Sequence, residues 1–427
     1  MVAAVLLGSF LIMLLINVPI AITMGISSLL GLMAMGMSFD MIPINFYAAS
    51  SKFVLLAIPF FILGGNIMEK AGISRKLIDF AMALVGHLKG GLAIVCVLVS
   101  CFFAAISGSA PATVAALGMI VIPAMVEVGY KKDTSSALMA TSGAIGLIIP
   151  PSITFVIYGS IAGVSISKLF MAGIIPGLLM GAFIAVSCLL TTRKEDIKKI
   201  PKVPPKQCWV AFKDAIWAIL MPVIILGGIY GGVCTPTEAA AIAAVYGLFV
   251  GIFIYKSLEF KELYQILVTS TVQSAVVMFI TATASLFAWI ITTEGIAAAA
   301  SELLINMAGG NIIIFLLIVN IILLLAGCGI DGTSAFYIFT PILLPVAIQL
   351  GYDPLVFGVV MVMNLAIGNA TPPVGVCLYV ACGIGNVSLK QISKASLPFL
   401  VAAVLALFVV TYIPSISQFI PNLLMAD

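Results

Sequence analysis

Charge is what this sequence has least of. Only 8% of its 427 residues are Asp, Glu, Lys or Arg, against roughly a quarter in a soluble domain. So few charges cannot cover a water-facing surface, which excludes a soluble globular protein. Histidine is nearly missing: His87 stands alone in a polar loop, with a structural or solvent role, and no HExxH pattern occurs. A membrane enzyme built on His ligands or a His base is therefore excluded. No GxxxxGK[ST] loop is present, so an ATP-driven pump has no place to hold its phosphates. The eight cysteines form no CxxC pair and mostly sit in apolar runs, where free Cys acts as a small hydrophobe. That argues against a disulfide framework or a zinc site. A net charge of +3 with its basic residues in loops implies no nucleic acid. The N-terminal run "MVAAVLLGSFLIMLLINVPIAITMG" lacks a basic leader and an A-x-A-like site, so it reads as a retained span.

What is present is apolar. The chain is 63% hydrophobic with a mean hydropathy of +1.29. Its runs are long and continuous, unlike the short alternating segments of a membrane barrel. At about 20 residues per crossing there is material for roughly ten or more spans. The fold class is an all-α polytopic membrane protein in a lipid bilayer.

One segment, "TTRKEDIKKIPKVPPKQCWVAFKD" (191–214), is polar. It holds seven basic residues (Arg193, Lys194, Lys198, Lys199, Lys202, Lys206 and Lys213) and three prolines. It reads as an aqueous loop on the cytoplasmic side, and it divides the chain almost in half. The halves resemble each other at a constant offset of 222. "PAMVEVGY" (123–130) falls on "PVAIQLGY" (345–352), and "AIGLIIPP" (144–151) on "AIGNATPP" (366–373). Gly163 falls on Gly385, and Lys168 on Lys390. The expected organisation is a first repeat over 1–192, a connector over 193–213 and a second repeat over 214–427. The loop at 70–89 carries Lys70, Arg75, Lys76 and Lys89, whereas its counterpart near 292–311 carries only Glu294 and Glu302. That contrast favours inverted repeats. Yet the 70–89 loop and Lys131 flank one apparent span, so they are expected on opposite sides, and absolute orientation stays open.

Two apolar runs are interrupted by small, oxygen-bearing residues. "AISGSAPATVAALG" (105–118) and "LAGCGIDGTSAFYIFTP" (325–341) break at corresponding places, Ser107 falling on Gly329 and Ser109 on Asp331. Unwound backbone at membrane depth is tolerated only where protein or a water-filled cavity meets it. Its carbonyls, with Ser, Thr and Asp oxygens, suit a hard cation, and free helix N-termini suit an anion. An ionisable group within a span marks function by default, which singles out Asp331, though a helix cap explains it too. Pro-Pro breaks a second pair of runs at "GLIIPPS" and "GNATPPVG", beside Ser152, Thr154, Asn369 and Thr371. "YGGVCTPTEAAAIAAVYG" (230–247) predicts a capping box at Thr235, Pro236 and Glu238 after a glycine turn at Gly232. The stretches 55–65 and 276–295 read as re-entrant helical hairpins, the second turning near "TATAS" (281–285).

"SGSAPATVAALG", "GLIIPPS", "CTPTEAAAIAAVYG" and "GNATPPVG" resemble, in order and along nearly the whole chain, motifs of the large membrane subunit of tripartite ATP-independent periplasmic (TRAP) transporters. The resemblance implies uptake of an organic acid across the bacterial inner membrane by an elevator mechanism, with sodium as coupling ion and no other cofactor. It implies two partners: a small four-helix membrane subunit and a periplasmic substrate-binding protein. In some members the small subunit is fused N-terminally; here the chain opens on its first span, so a separate polypeptide is expected. The resemblance assigns a first sodium site to Ser107, Ser109, Gly327, Gly329 and Asp331, and a second to Gly232, Thr235, Asn369 and Thr371. Substrate-facing candidates are Ser109, Ser152, Thr154, Thr333 and Ser334. Overall similarity tilts the cargo towards sialic acid (N-acetylneuraminate), with a C4-dicarboxylate or another carboxylate as the alternative. A proton-coupled carrier and a channel are the remaining rivals.

Overall fold

The computed structural model describes residues 1–427 apart from 194, 196, 199 and 425–427, so Lys194 and Lys199 of the connector lie outside the described residues. Among the described residues every regular element is helical, as lipid demands of backbone that has no water to bond. The first half folds as α1 (Val2–Leu15), α2 (Ile20–Met35), α3 (Met41–Ser50), α4 (Ala57–Lys70, after a 3-10 turn at Phe53–Leu56), α5 (Ile73–Val85), α6 (Gly91–Ser107), α7 (Ala110–Glu127), α8 (Lys132–Ala144), α9 (Ile153–Ala162) and α10 (Ile166–Thr191). The second folds as α11 (Pro205–Tyr230), α12 (Pro236–Phe249), α13 (Phe260–Thr293), α14 (Ile296–Ala308), α15 (Ile312–Gly327), α16 (Gly332–Gln349), α17 (Pro354–Asn369), α18 (Val376–Gly385), α19 (Leu389–Tyr412) and α20 (Ser415–Leu424). Among the described residues, eight helical segments are long and apolar enough to cross a membrane unaided. Shifted by 222, α7 falls on α16 end for end, and α6, α8, α9 and α10 fall on α15, α17, α18 and α19. The last residues of the expected connector are already helical, because α11 begins at Pro205.

The ends of these helices sort onto two faces. At the first face the turn before α6, the turn after α7 and the connector meet. Gly90 lies against the Tyr130 side chain, the Lys198 amide donates to the Val128 carbonyl at 2.9 Å, and Lys131 pairs with Glu195 at 3.4 Å. So α6 leaves this face and α7 returns to it: together they form a re-entrant hairpin with its tip at Ser107–Ser109. This corrects the expectation of one interrupted span with its ends on opposite sides. The reversal rests on Gly108, whose left-handed φ of +58° turns the chain between two right-handed helices. The 26-residue α10, about 39 Å long, then runs from the far face back to the connector.

The second hairpin enters from that far face. Tyr158, in the second half of α9, donates to the Pro354 carbonyl at the start of α17 (2.7 Å). Tyr352 donates to Thr411 at 2.8 Å and Tyr412 to Ile313 at 3.1 Å. The start of α15, the end of α16 and the end of α19 therefore gather opposite the first hairpin's open end. Packing is reciprocal: α9 lies on α16 as α18 lies on α7, and α17 on α10 as α8 on α19. Swapped contacts of this kind define a two-fold relation, and opposite entry makes the repeats inverted.

The hairpins expected at 55–65 and 276–295 are not there. Helix α4 runs unbroken, with Pro59 in its first turn, where no intrahelical amide is needed. Helix α13 continues through 281–285, because the Thr283 hydroxyl returns to the Phe279 and Ile280 carbonyls (3.0 and 3.1 Å). Reversal comes later, at Gly72 and Gly295, both left-handed, which lead into α5 and α14. Helix α5 buries Ile73, Leu77 and Ile78 while exposing Arg75 and Asp79, the pattern of a helix lying along an interface.

Candidate functional site

The first hairpin tip is held by hydroxyls. Ser107 Oγ shares a hydrogen bond with Thr113 Oγ1 at 2.9 Å, and Thr113 Oγ1 donates to the Ser109 carbonyl at 2.8 Å. Ser109 begins α7 in an extended conformation without a side-chain cap bond, so the positive end of α7 is left uncapped. The tip sits beside the Pro-Pro break of its own repeat. A Cβ on Gly108 would stand 3.0 Å from the Pro151 carbonyl oxygen, and one on Gly146 would stand 3.1 Å from the Ser109 carbonyl oxygen. Ser107 and Ser109 line a cavity of about 350 Å³ with Ile62, Asn66, Glu69, Ile153 and Gln273.

Ser152 and Thr154 serve that break rather than the cavity. Both hydroxyls reach the Leu147 carbonyl (2.6 and 2.9 Å), and both residues are buried. Thr154 also faces the second tip, its Cγ2 lying 3.8 Å from an ideal Cβ on Gly332. The two tips thus approach one another through the start of α9.

At the second tip Asp331 caps α16. Its carboxylate accepts from the Ser334 amide at 3.1 Å and from the Ser334 hydroxyl at 2.5 Å. Ser334 is thereby buried and occupied, whereas Thr333 is half-buried. Gly327 packs on the end of α17: a Cβ on Gly368 would meet Gly327 Cα at 2.5 Å. Gly329 faces open space. Asn369 Nδ2 donates to the Leu365 carbonyl (3.1 Å) and Thr371 Oγ1 to that of Ile367 (2.6 Å), closing the end of α17. Each tip is therefore paired with the Pro-Pro break of its own repeat. Gly327–Asp331 lies beside Gly368, while Ser107–Ser109 lies beside Pro151.

Gly232 and Thr235 stand elsewhere. Thr235 forms the full capping box with Glu238, accepting from its amide at 3.3 Å while the Thr235 amide donates to Glu238 Oε2 at 2.8 Å. It lines a separate cavity of about 480 Å³ with Phe53, Ser160 and Ser165 at the far face. Lys52 closes this region by donating to the Ser160 carbonyl at 2.9 Å, and burial pulls its ammonium below the usual lysine pKa.

Sequence reasoning missed several polar groups. Asn66 Nδ2 donates to Ser270 Oγ (2.8 Å) and Gln273 Oε1 (2.9 Å), tying α4 to α13. Asn364 donates to Asn320 Oδ1 at 2.8 Å, and both amides are fully buried beside the second tip. The signal was available: amides inside apolar runs need partners, and so mark helix contacts.

Comparison with known proteins agrees with this architecture. Residues 7–416 match the family model described as "Tripartite ATP-independent periplasmic transporter, DctM component". The chain is 39% identical to the C4-dicarboxylate TRAP transporter large permease protein DctM of Rhodobacter capsulatus, over 99% of each chain. It is 43% identical to the isethionate TRAP transporter permease protein DctMQ of Oleidesulfovibrio alaskensis, over 97% of this chain and 66% of that one. Among solved structures, the YdaH transporter of Alcanivorax borkumensis shares the fold, with a TM-score of 0.61 at 14% identity over 90% of this chain and 88% of that one. With the family motifs now placed at two opposed hairpin tips and the breaks beside them, the chain belongs to the DctM family of tripartite ATP-independent periplasmic transporters, as a multi-pass large permease and not an enzyme.

Proposed function

We propose that this chain carries an organic acid across the bacterial inner membrane, driven by a sodium gradient, as one of three components. The observation that carries this reading is the pair of hairpin tips entering from opposite faces, each beside a Pro-Pro break of its own repeat. Unwound backbone carbonyls at such places coordinate sodium in transporters built from inverted repeats. One ion would sit between Ser107–Ser109 and the Pro151 break, the other between Gly327–Asp331 and the Asn369–Thr371 break. The cargo's carboxylate would meet the uncapped start of α7 at Ser109, inside the cavity lined by Asn66 and Gln273.

The relatives named above handle C4-dicarboxylates and isethionate, so a C4-dicarboxylate is the first cargo to test. The sialic acid favoured by overall sequence similarity gains no support from them and comes second. Arg75, Lys76, Lys89, Lys131, Arg193 and Lys198 crowd the first face, which orients that face to the cytoplasm. The two hairpins and α8–α10 with α17–α19 would move as one body against the remaining helices, in an elevator motion. A small membrane subunit and a periplasmic binding protein complete the system.

Uptake in proteoliposomes, with sodium and proton gradients imposed separately, tests this. Saturable carboxylate uptake should follow the sodium gradient and require all three components. Uptake driven by protons alone, or cargo flux without coupling, would overturn it.

A further inference from the structure

We infer that Glu69 is a release group: its carboxylate repels an anionic cargo from the cavity and speeds departure towards the basic face. This rests on the reading of a carboxylate held at the start of α7. Among the described residues lining that cavity Glu69 alone is ionisable, and none is a Lys or Arg that would hold an anion. An anion in that cavity therefore meets two opposed fields, the positive end of α7 at Ser109 and the negative charge of Glu69.

The position of Glu69 has no local explanation. It occupies the last turn of α4, where the helix dipole disfavours a carboxylate. Half-buried, it makes no ion pair or side-chain hydrogen bond among the described residues. Asn66, one turn earlier, cannot shield it, because its amide hydrogens are spent on Ser270 and Gln273. Lys70 follows directly, and the Ser257 hydroxyl closes on the Ala71 carbonyl at 3.1 Å where α4 ends. Glu69 thus stands between the first hairpin tip and the basic face. Since α4 lies outside the body proposed to move, the repulsion acts when the tip is brought to this level and fades when it is carried away. The charge then favours unloading on one side only.

The test uses the three-component transporter in proteoliposomes, with the binding protein outside to select one orientation. The probe is whichever carboxylate the wild type carries among succinate, malate and N-acetylneuraminate. Inhibition of sodium-driven uptake by the same carboxylate preloaded in the lumen reads affinity on the release side. For Glu69→Gln the half-inhibiting lumenal concentration should fall at least fivefold and turnover should drop, with external KM and sodium dependence within twofold of wild type. Glu69→Asp should behave as wild type. Unchanged lumenal inhibition in Glu69→Gln would overturn the inference, and a shifted sodium curve would replace it with a cation-ligand role. A wild type that carries none of these carboxylates would remove the reading of a carboxylate held at the start of α7, and this inference with it.

Discussion

Asp331 shows how one side chain can satisfy two demands. Its two oxygens hold the Ser334 amide and hydroxyl, which is the work of an N-cap. The same carboxylate lies four residues from Gly327, where α15 ends buried against the end of α17. Asn caps a helix about as well as Asp, so Asp331→Asn should leave stability within about 1 kcal/mol of wild type. It removes a full negative charge, however, and apparent sodium affinity should fall at least tenfold, about 1.4 kcal/mol. Thermal unfolding together with uptake against sodium concentration separates the two effects. An unchanged sodium curve would leave Asp331 as a cap alone. The sequence made Asp331 conspicuous, an acid within an apolar run. A helix cap at Asp331 was legible too, but its partner Ser334, expected to face substrate, and the approach of Gly327 to Gly368 depended on folding.

At the scale of elements, close approach between helix ends holds each tip to its neighbouring break. Gly327 and Gly368 touch backbone to backbone, which fixes where the second tip stands against α17. Gly368→Ala places a methyl group into that contact, an overpacking that costs roughly 1–3 kcal/mol. It should lower the unfolding midpoint and abolish uptake. Gly329→Ala, two residues beyond Gly327 and facing open space, should be nearly silent in the same unfolding measurement. Comparable losses in both variants would show that the contact is not what matters. Helix ends were legible in sequence wherever chemistry is local: the capping box at Thr235 and Glu238 formed as spacing predicts. Helix continuity was not. Thr281 and Thr283 suggested a turn, yet a threonine hydroxyl that returns to its own helix breaks nothing.

For the whole molecule, inversion has a direct consequence for access. Lys131 lies where the first hairpin opens and Asp353 where the second does, at corresponding positions of the two repeats apart by the offset of 222. In a background lacking the native cysteines, Lys131→Cys should react with a membrane-impermeant thiol reagent only from the cytoplasmic side. Asp353→Cys should react only from the periplasmic side. Labelling of both from one side would refute the inverted arrangement. The basic residues of the first face explain why the chain would insert this way up.

The sequence by itself determined the solvent, the helical class, the duplication and the two pairs of breaks that recur at the offset of 222. Each of these follows from local facts: too few charges for water, long apolar runs, a constant offset, and clustered Gly and Ser or paired Pro at matching places in the two halves. Only the tertiary structure decided where the chain goes after each break. Gly108 permits a reversal but does not enforce one, and the return of α7 to the face that α6 left depends on Tyr130, Val128 and Lys131 meeting the Gly90 turn and the connector. The partner of each hairpin tip was likewise decided by packing, since carbonyls freed by one break cannot declare in sequence which other break will face them.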